Sequence, residues 1–229
     1  IVFCGVYFMA ETAKIISPQK KVLIPDKNAG CPMADMITAK ELVEFKKEHP
    51  DAKYVCYVNS TAEVKAECDL CVTSANALEL VKRAYSKDDE IVFIPDKYLG
   101  QYVSEKTGYD FIKWDGYCPT HVKIMPDDII ALKKKHPNAK VIVHPECTSP
   151  IWRLADEILS TEGMYRYVKD SNDEEFIVGT EIGMIYRLSV DNPNKKFYPA
   201  TKRAICPNMK KTTLQKVLTS LEEQKYEVV

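Results

Sequence analysis

No run of apolar residues in the chain approaches the roughly 20 needed to cross a bilayer, and the start lacks the basic, apolar and small-residue succession of a secretory signal. A helical membrane span is excluded, and the chain reads as cytoplasmic. An excess of charge of one sign is missing too: Lys and Arg number 32 against 33 Asp and Glu, interspersed, for a net charge of −1. There is thus no basic stripe for nucleic acid and no cationic amphipathic segment for a membrane surface, which leaves a small molecule as the expected partner. Gly/Ser/Pro-rich stretches are absent, so 229 residues at 45% apolar composition can bury a sizeable core. Finally, the chain has no initiator Met and opens directly on the strand-like Ile1-Val2-Phe3, which suggests further sequence upstream.

What the chain does have is cysteine, eight in all, at 4, 31, 56, 68, 71, 118, 147 and 206. Without a secretion signal these are expected as reduced thiols, in the core or on a metal. Three of them precede proline: Cys31-Pro32, Cys118-Pro119 and Cys206-Pro207, spaced by 87 and 88 residues. Such spacing is a repeat that carries a thiol. It suggests a pseudo-threefold molecule delivering three thiolates to one central point, where they could hold a metal cluster. Zinc on three thiolates and a water is the competing metal reading.

The repeat extends beyond the cysteines. A shift of 87 aligns Lys46 to Lys53 with Lys133 to Lys140, and the strand Tyr54 to Ser60 with Val141 to Cys147. Each full copy reads as helix, strand, short connection, strand, helix, strand, helix, strand. In the first full copy a helix is expected from Asp35 to His49, with a capping box at Thr38 and Glu41. Strands are expected near 53–59, 69–73, 91–94 and 110–113, and helices over 76–85 and 98–107. Alternating strands and helices favour parallel sheets covered on both faces. The expected fold is therefore α/β: three pseudo-threefold-related αβα domains around a central cavity, the first incomplete at its N-terminus. The units are 1–37 (the second half of a repeat), 38–122, 123–209 and a helical tail, 210–229. In that tail Leu214, Val217, Leu218 and Leu221 form one apolar face, expected to dock on a neighbouring sheet.

The same shift sorts the thiols. Cys56, Cys68 and Cys71 become Val143, Ala155 and Ile158, so they read as small buried residues rather than a zinc or redox pair, and Cys4 reads likewise. Cys147 falls at a strand end beside polar groups and is expected to line a cavity, as a weaker ligand candidate. Polar residues recur at equivalent strand ends: Tyr57 and Asn59, then His144 and Glu146, each pair on one face of its strand. Open α/β sheets place ligands at such ends. Glu146 and His144 are candidate general base and acid, Tyr57 a proton donor, and Asn59, Ser74 and Thr161 hydrogen-bonding anchors. His121, three residues after Cys118, could reach the same centre. His49 and His136 precede proline and read as helix caps.

Several segments in order carry a resemblance: Phe8-Met9-Ala10-Glu11, Cys31-Pro32-Met33-Ala34, Tyr57-Val58-Asn59-Ser60-Thr61, Thr73-Ser74-Ala75-Asn76, Cys118-Pro119 with His121, His144-Pro145-Glu146-Cys147, Gly179-Thr180-Glu181-Ile182-Gly183-Met184 and Asn208-Met209-Lys210-Lys211. Together they resemble the quinolinate synthase family of NAD biosynthesis. The resemblance implies a 4Fe-4S cluster on Cys31, Cys118 and Cys206, and condensation of iminoaspartate with dihydroxyacetone phosphate to quinolinate. It also implies a substrate site lined by Tyr57, Asn59, Ser74, His121, His144 and Glu146, with Ser160 beside Thr161, and a functional link to an iminoaspartate-producing enzyme. The family's His-Asn-Tyr segment would lie before residue 1. The alternatives are another cluster-dependent hydro-lyase and a cluster-based sensor, although no DNA-binding helix pair supports the latter.

Overall fold

The chain after each Cys-Pro dipeptide folds the same way three times. In the computed structural model, which describes residues 1–228, short 3₁₀ turns occupy Ala34–Met36, His121–Lys123 and Met209–Lys211. Each begins three residues after its cysteine. The cysteine carbonyl accepts from the amide four residues on in all three: Asp35 at 3.1 Å, Val122 at 3.3 Å and Lys210 at 3.4 Å. A helix then starts with its N-cap seven residues past the cysteine, at Thr38, Met125 and Thr213. At Thr38 the expected capping box forms, with Glu41 Oε2 accepting from the Thr38 amide at 2.8 Å. The helix accordingly starts at Ala39 rather than Asp35.

The first full unit runs α2 (Ala39–Glu48), β1 (Lys53–Tyr57), α3 (Ala62–Ala66), β2 (Leu70–Val72), α4 (Ala77–Ala84), β3 (Ile91–Ile94), α5 (Lys97–Thr107) and β4 (Phe111–Lys113), after an α1 at Tyr7–Ile16. The second runs α6 (Pro126–Lys135), β5 (Lys140–Val143), α7 (Ser149–Trp152), β6 (Glu157–Ile158), α8 (Thr161–Asp170), β7 (Glu175–Gly179), α9 (Gly183–Asp191) and β8 (Lys196–Pro199), before α10 at Leu214–Glu223. Their sheets are four-stranded, wholly parallel and share one topology, β2-β1-β3-β4 and β6-β5-β7-β8.

Strand periodicity explains the layers. Val55, Tyr57, Ile91 and Phe93 pack under α4 and α5 with Val81, Leu99 and Val103, while the alternate Tyr54, Cys56, Val92 and Ile94 pack with Leu42 and Val64 of α2 and α3. In the second sheet Val141, Val143 and Ile177 meet Ile129 and Ile151, and Ile142, Phe176 and Val178 meet Met164, Val168 and Leu188. Both faces of each sheet are thus covered, which is why the strands read as near-continuous apolar runs. His49 and His136 are the C-cap residues of α2 and α6, beside Glu90 and Glu175 respectively.

The N-terminal segments pair through the bridge Val2–Leu23, and the chain's far end joins them. Glu227 bridges Leu23 antiparallel, and Val228 donates to the Val22 carbonyl at 2.8 Å. The apolar face of α10 does not dock as its pattern predicts: Leu214, Leu218 and Leu221 are exposed, and Ser220 is the buried side chain. Lys216 on the same helix pairs with Asp26 at 2.5 Å. Among the described residues no helix is long and apolar enough to cross a membrane.

Candidate active site

Where β1, β2, β5 and β7 end, a cavity of about 270 Å³ opens between the two sheet units and the N-terminal segments, lined among others by Cys31, Tyr57, Ser74, Cys118, His121 and Cys206. That volume is near the low end for small-molecule sites. Asn59, His144, Glu146 and Thr161 also face it. All eight cysteines are free, and the three that precede proline are each partly buried.

The centre of the cavity is a chain of buried polar groups. Tyr57, the last residue of β1, donates its hydroxyl to Glu146 Oε1 at 2.6 Å. Glu146 Oε2 lies 2.9 Å from His121 Nδ1, and His121 Nε2 lies 2.9 Å from Thr180 Oγ1 at the end of β7. The His121 and His144 rings stack with centroids 4.7 Å apart. Because the Glu146 amide donates to His144 Nδ1 at 3.3 Å, the proton of His144 resides on Nε2, which donates to Ser74 Oγ at 3.3 Å.

Electrostatics separate the roles of these groups. Burial would raise the Glu146 carboxyl, but His121 and then His144 outweigh it and hold it well below the carboxylate range. Burial likewise opposes a charged His121, yet Glu146 and Cys118 keep that imidazole well above its ordinary value. Burial pushes His144 down to about 4, so it is neutral, in keeping with its tautomer. Burial and the neighbouring Glu146 carboxylate raise Tyr57 far up, so the phenol keeps its proton. The result is an anionic acceptor between a phenol donor and an imidazolium, with a neutral imidazole alongside.

The loop that brings Cys118 here depends on Gly116. Its carbonyl accepts from the Lys97 amide at 2.9 Å, and a Cβ at Gly116 would stand 2.4 Å from the Pro95 carbonyl oxygen, closer than any side chain tolerates. The loops of different cysteines are also tied together: Trp114 Nε1 donates to the Met36 carbonyl at 2.9 Å, and Lys211 Nζ donates to the Asn28 carbonyl at 2.7 Å.

Ser160 does not share the cavity wall. Its hydroxyl caps α8, accepting from the Gly163 amide at 3.0 Å. Cys147 is fully buried, with Sγ 3.4 Å from the Gly179 carbonyl, and is not among the residues that line this cavity. Cys4 and Cys71 are exposed rather than buried, Cys68 is half-buried, and only Cys56 has the interior place expected of all four. Sequence reasoning missed Thr180, which reaches His121, although it belongs to the Gly179-Thr180-Glu181 segment. It also missed Asp96, which is fully buried behind the site and caps α5 through Oδ1, 2.7 Å from the Leu99 amide, while Oδ2 has no partner. Pro95-Asp96 ahead of a helical pattern was the available signal.

A family model described as "Quinolinate synthetase A protein" matches residues 1–229. A quinolinate synthase of Dehalococcoides mccartyi is 59% identical over 222 residues, 97% of this chain and 73% of that protein. Those of Geotalea uraniireducens and Thermodesulfovibrio yellowstonii are each 51% identical, over 221 and 227 residues, covering 96% and 99% of this chain and 72% and 74% of theirs.

Proposed function

Since the chain belongs to the quinolinate synthetase A family, we propose that it is an enzyme of NAD biosynthesis that forms quinolinate from iminoaspartate and dihydroxyacetone phosphate. The supporting observation is the convergence of Cys31, Cys118 and Cys206 on the cavity that also holds the Tyr57–Glu146–His121 chain. On this reading the three Cys-Pro loops are equivalent corners of three units, 1–37, 38–122 and 123–209, arranged pseudo-threefold about that cavity, with 210–229 as a tail. The identical turn offsets after each cysteine support it.

The donor set fits an iron-sulfur cluster. Burial pushes the Cys31 thiol up to about 11 and raises Cys118 as well, so these sulfurs ionise when a bound cation takes up their charge. A 4Fe-4S cluster on Cys31, Cys118 and Cys206 would supply a Lewis-acidic iron with a position left for substrate. The rest of the work belongs to side chains. On this reading Glu146 is the proton acceptor and Tyr57 gives its hydroxyl proton to a substrate oxygen, roles that require substrate to draw the His121 imidazolium and the 2.6 Å Tyr57 contact away from the carboxylate, because those partners hold its proton affinity low. His144 presents Nε2–H toward Ser74 and neutral bulk toward the substrate. Asn59, Ser74, His121 and Thr161 anchor polar oxygens around the opening. Ser160, beside Thr161, caps α8 with its hydroxyl and so holds Thr161 at the cavity wall.

Eight unpaired thiols suit a reducing cytoplasm. An iminoaspartate-producing enzyme is the natural supplier, because imines of this kind hydrolyse in water. Anaerobic iron and sulfide analysis of the purified protein, followed by assay with both substrates, tests the reading. Acid-labile sulfide with iron, lost in Cys118→Ser, and quinolinate as product are expected. Zinc without sulfide, or a cluster-loaded protein that makes no quinolinate, would overturn it.

A further inference from the structure

We propose that Glu181 is the positioning residue for Cys206, acting through the main chain on either side of that sulfur. The inference deepens the functional reading above and rests on it for the role of Cys206 as a ligand.

The three units share one hydrogen bond at the joint between strand and helix. The amides of Tyr7, Lys97 and Ile182 donate to the carbonyls of Ala29, Gly116 and Ala204 at 2.8, 2.9 and 2.9 Å. Each of those carbonyls belongs to the residue two before a Cys-Pro cysteine. The residue ahead of each donor therefore stands at the root of a cysteine loop, and its chemistry differs from unit to unit: Val6, Asp96 and Glu181. A valine side chain accepts nothing. Asp96 Oδ1 accepts from the Leu99 amide, and its Oδ2 has no partner. Glu181, one methylene longer, reaches its cysteine: Oε1 accepts from the Cys206 amide at 3.2 Å.

The rest of that carboxylate is held as well. Oε2 accepts from the Gly183 amide at the start of α9 at 2.7 Å, and Lys210 Nζ lies 3.1 Å from Oε1 and 3.3 Å from Oε2. Lys210 is four residues past Cys206, and its own amide donates to the Cys206 carbonyl at 3.4 Å. Glu181 and Lys210 thus close a ring around the cysteine, through its amide on one side and its carbonyl on the other. Hydrogen bonds with an ionised partner are stronger than neutral ones, and the Glu181 side chain is only 12% exposed. Gly183 makes room for the arrangement. A Cβ there would stand 2.7 Å from Glu181 Oε2 and 3.0 Å from Lys210 Nζ. Sulfurs on three separate loops meet one bound group only if each loop is held at a set angle, which is the work of residues behind the ligands. For the Cys118 loop Gly116 and Trp114 do this; for the Cys206 loop it falls to Glu181.

Glu181→Asp separates this role from helix capping. An aspartate still accepts from the amide two residues on, as in an Asx turn, but its carboxylate is one methylene short of the Cys206 amide. In the full chain, purified anaerobically, the Cys206 amide is expected to exchange its hydrogen about tenfold faster than in the parent, with the amides of α9 unchanged. After chelator treatment, iodoacetamide should alkylate Cys206 faster relative to Cys31 and Cys118 of the same molecule. In the iron-loaded chain, chelator competition should show iron affinity lowered about 10–100-fold. Gly183→Ala, which displaces the carboxylate without altering Glu181, should reproduce these effects, and it decides the matter if the aspartate variant does not fold. Unchanged exchange at Cys206 in both variants, or an equal rise in alkylation at all three thiols, would overturn the proposal. The exchange and alkylation readings need neither cluster nor turnover, so they can fail while the synthase reading holds. Iron, sulfide and quinolinate can equally fail while the hold on Cys206 stands.

Discussion

Replacing Tyr57 by Phe deletes one oxygen from the cavity wall and keeps the ring in the apolar layer beneath α4 and α5. The lost contact is the 2.6 Å hydrogen bond to Glu146 Oε1 between two buried side chains. A hydrogen bond to a charged acceptor contributes about 1.5–3 kcal/mol, and an acceptor left bare in the interior puts the cost near the upper figure. His144 Nδ1, 3.8 Å from that oxygen, is too far to substitute. For a chain of this size each kcal/mol moves the midpoint about 2–4 °C, so a loss of about 3 kcal/mol lowers Tm by about 6–12 °C. A double-mutant cycle with Glu146→Gln, read by thermal melts under anaerobic conditions, isolates the pair, with an expected coupling of about 2 kcal/mol. Turnover of the proposed reaction should fall about 10²–10⁴-fold, the range for a lost proton donor. A melting point within about 2 °C of the parent together with a coupling below about 0.5 kcal/mol would refute the claim that this contact organises the site.

Asp96→Asn addresses the buried carboxyl whose Oδ2 has no partner. Burial, and then Glu146, raises this group to about 8. The folded state therefore keeps a proton that the unfolded chain gives up above about pH 4. The stabilising effect of that proton is complete below about pH 4 and fades as the pH climbs toward 8, so wild-type stability should fall across that window and the Asn variant should show a flatter curve. Urea midpoints measured from about pH 5 to pH 8 check this, and parallel curves would contradict it. Ser160→Ala should cost about 1 kcal/mol through the lost cap of α8 and leave KM for substrate unchanged, whereas Thr161→Ala should raise KM with little change in stability. Steady-state kinetics beside melting curves separate the two.

Much of the frame was legible in the chain because its signals are local. The Thr38–Glu41 box, the apolar runs of β1, β3, β5 and β7 and the 87-residue shift each depend on neighbours in sequence or on a copy of themselves. The centre was legible only as a set of candidates. Tyr57 and Glu146 are 89 residues apart, and His121 and Thr180 are 59 apart, so their contacts depend on how units pack, which no spacing along one strand encodes. Where expectation failed, pattern alone did not fix placement. The apolar stripe of α10 gives the helix its period but not a surface to cover it, and its leucines stay exposed. The shift that sorted the cysteines gives what can replace a thiol, not how deep it lies, which is why Cys71 was misplaced, and a position on or at the end of a strand left the depth of Cys4 and Cys147 equally open. Asp96 escaped notice because a capping aspartate is ordinarily half in solvent, and nothing in Pro95-Asp96 tells that this one is sealed.

Of the two tryptophans in the chain, Trp114 leaves β4 just ahead of Cys118 and donates its indole proton to the Met36 carbonyl in the turn that follows Cys31. The indole therefore spans two of the loops whose sulfurs face the cavity. Its emission should respond whenever those loops draw together or part, so the protein carries a built-in optical gauge of how its sulfur-bearing corners are seated, readable without any label and before any product is formed.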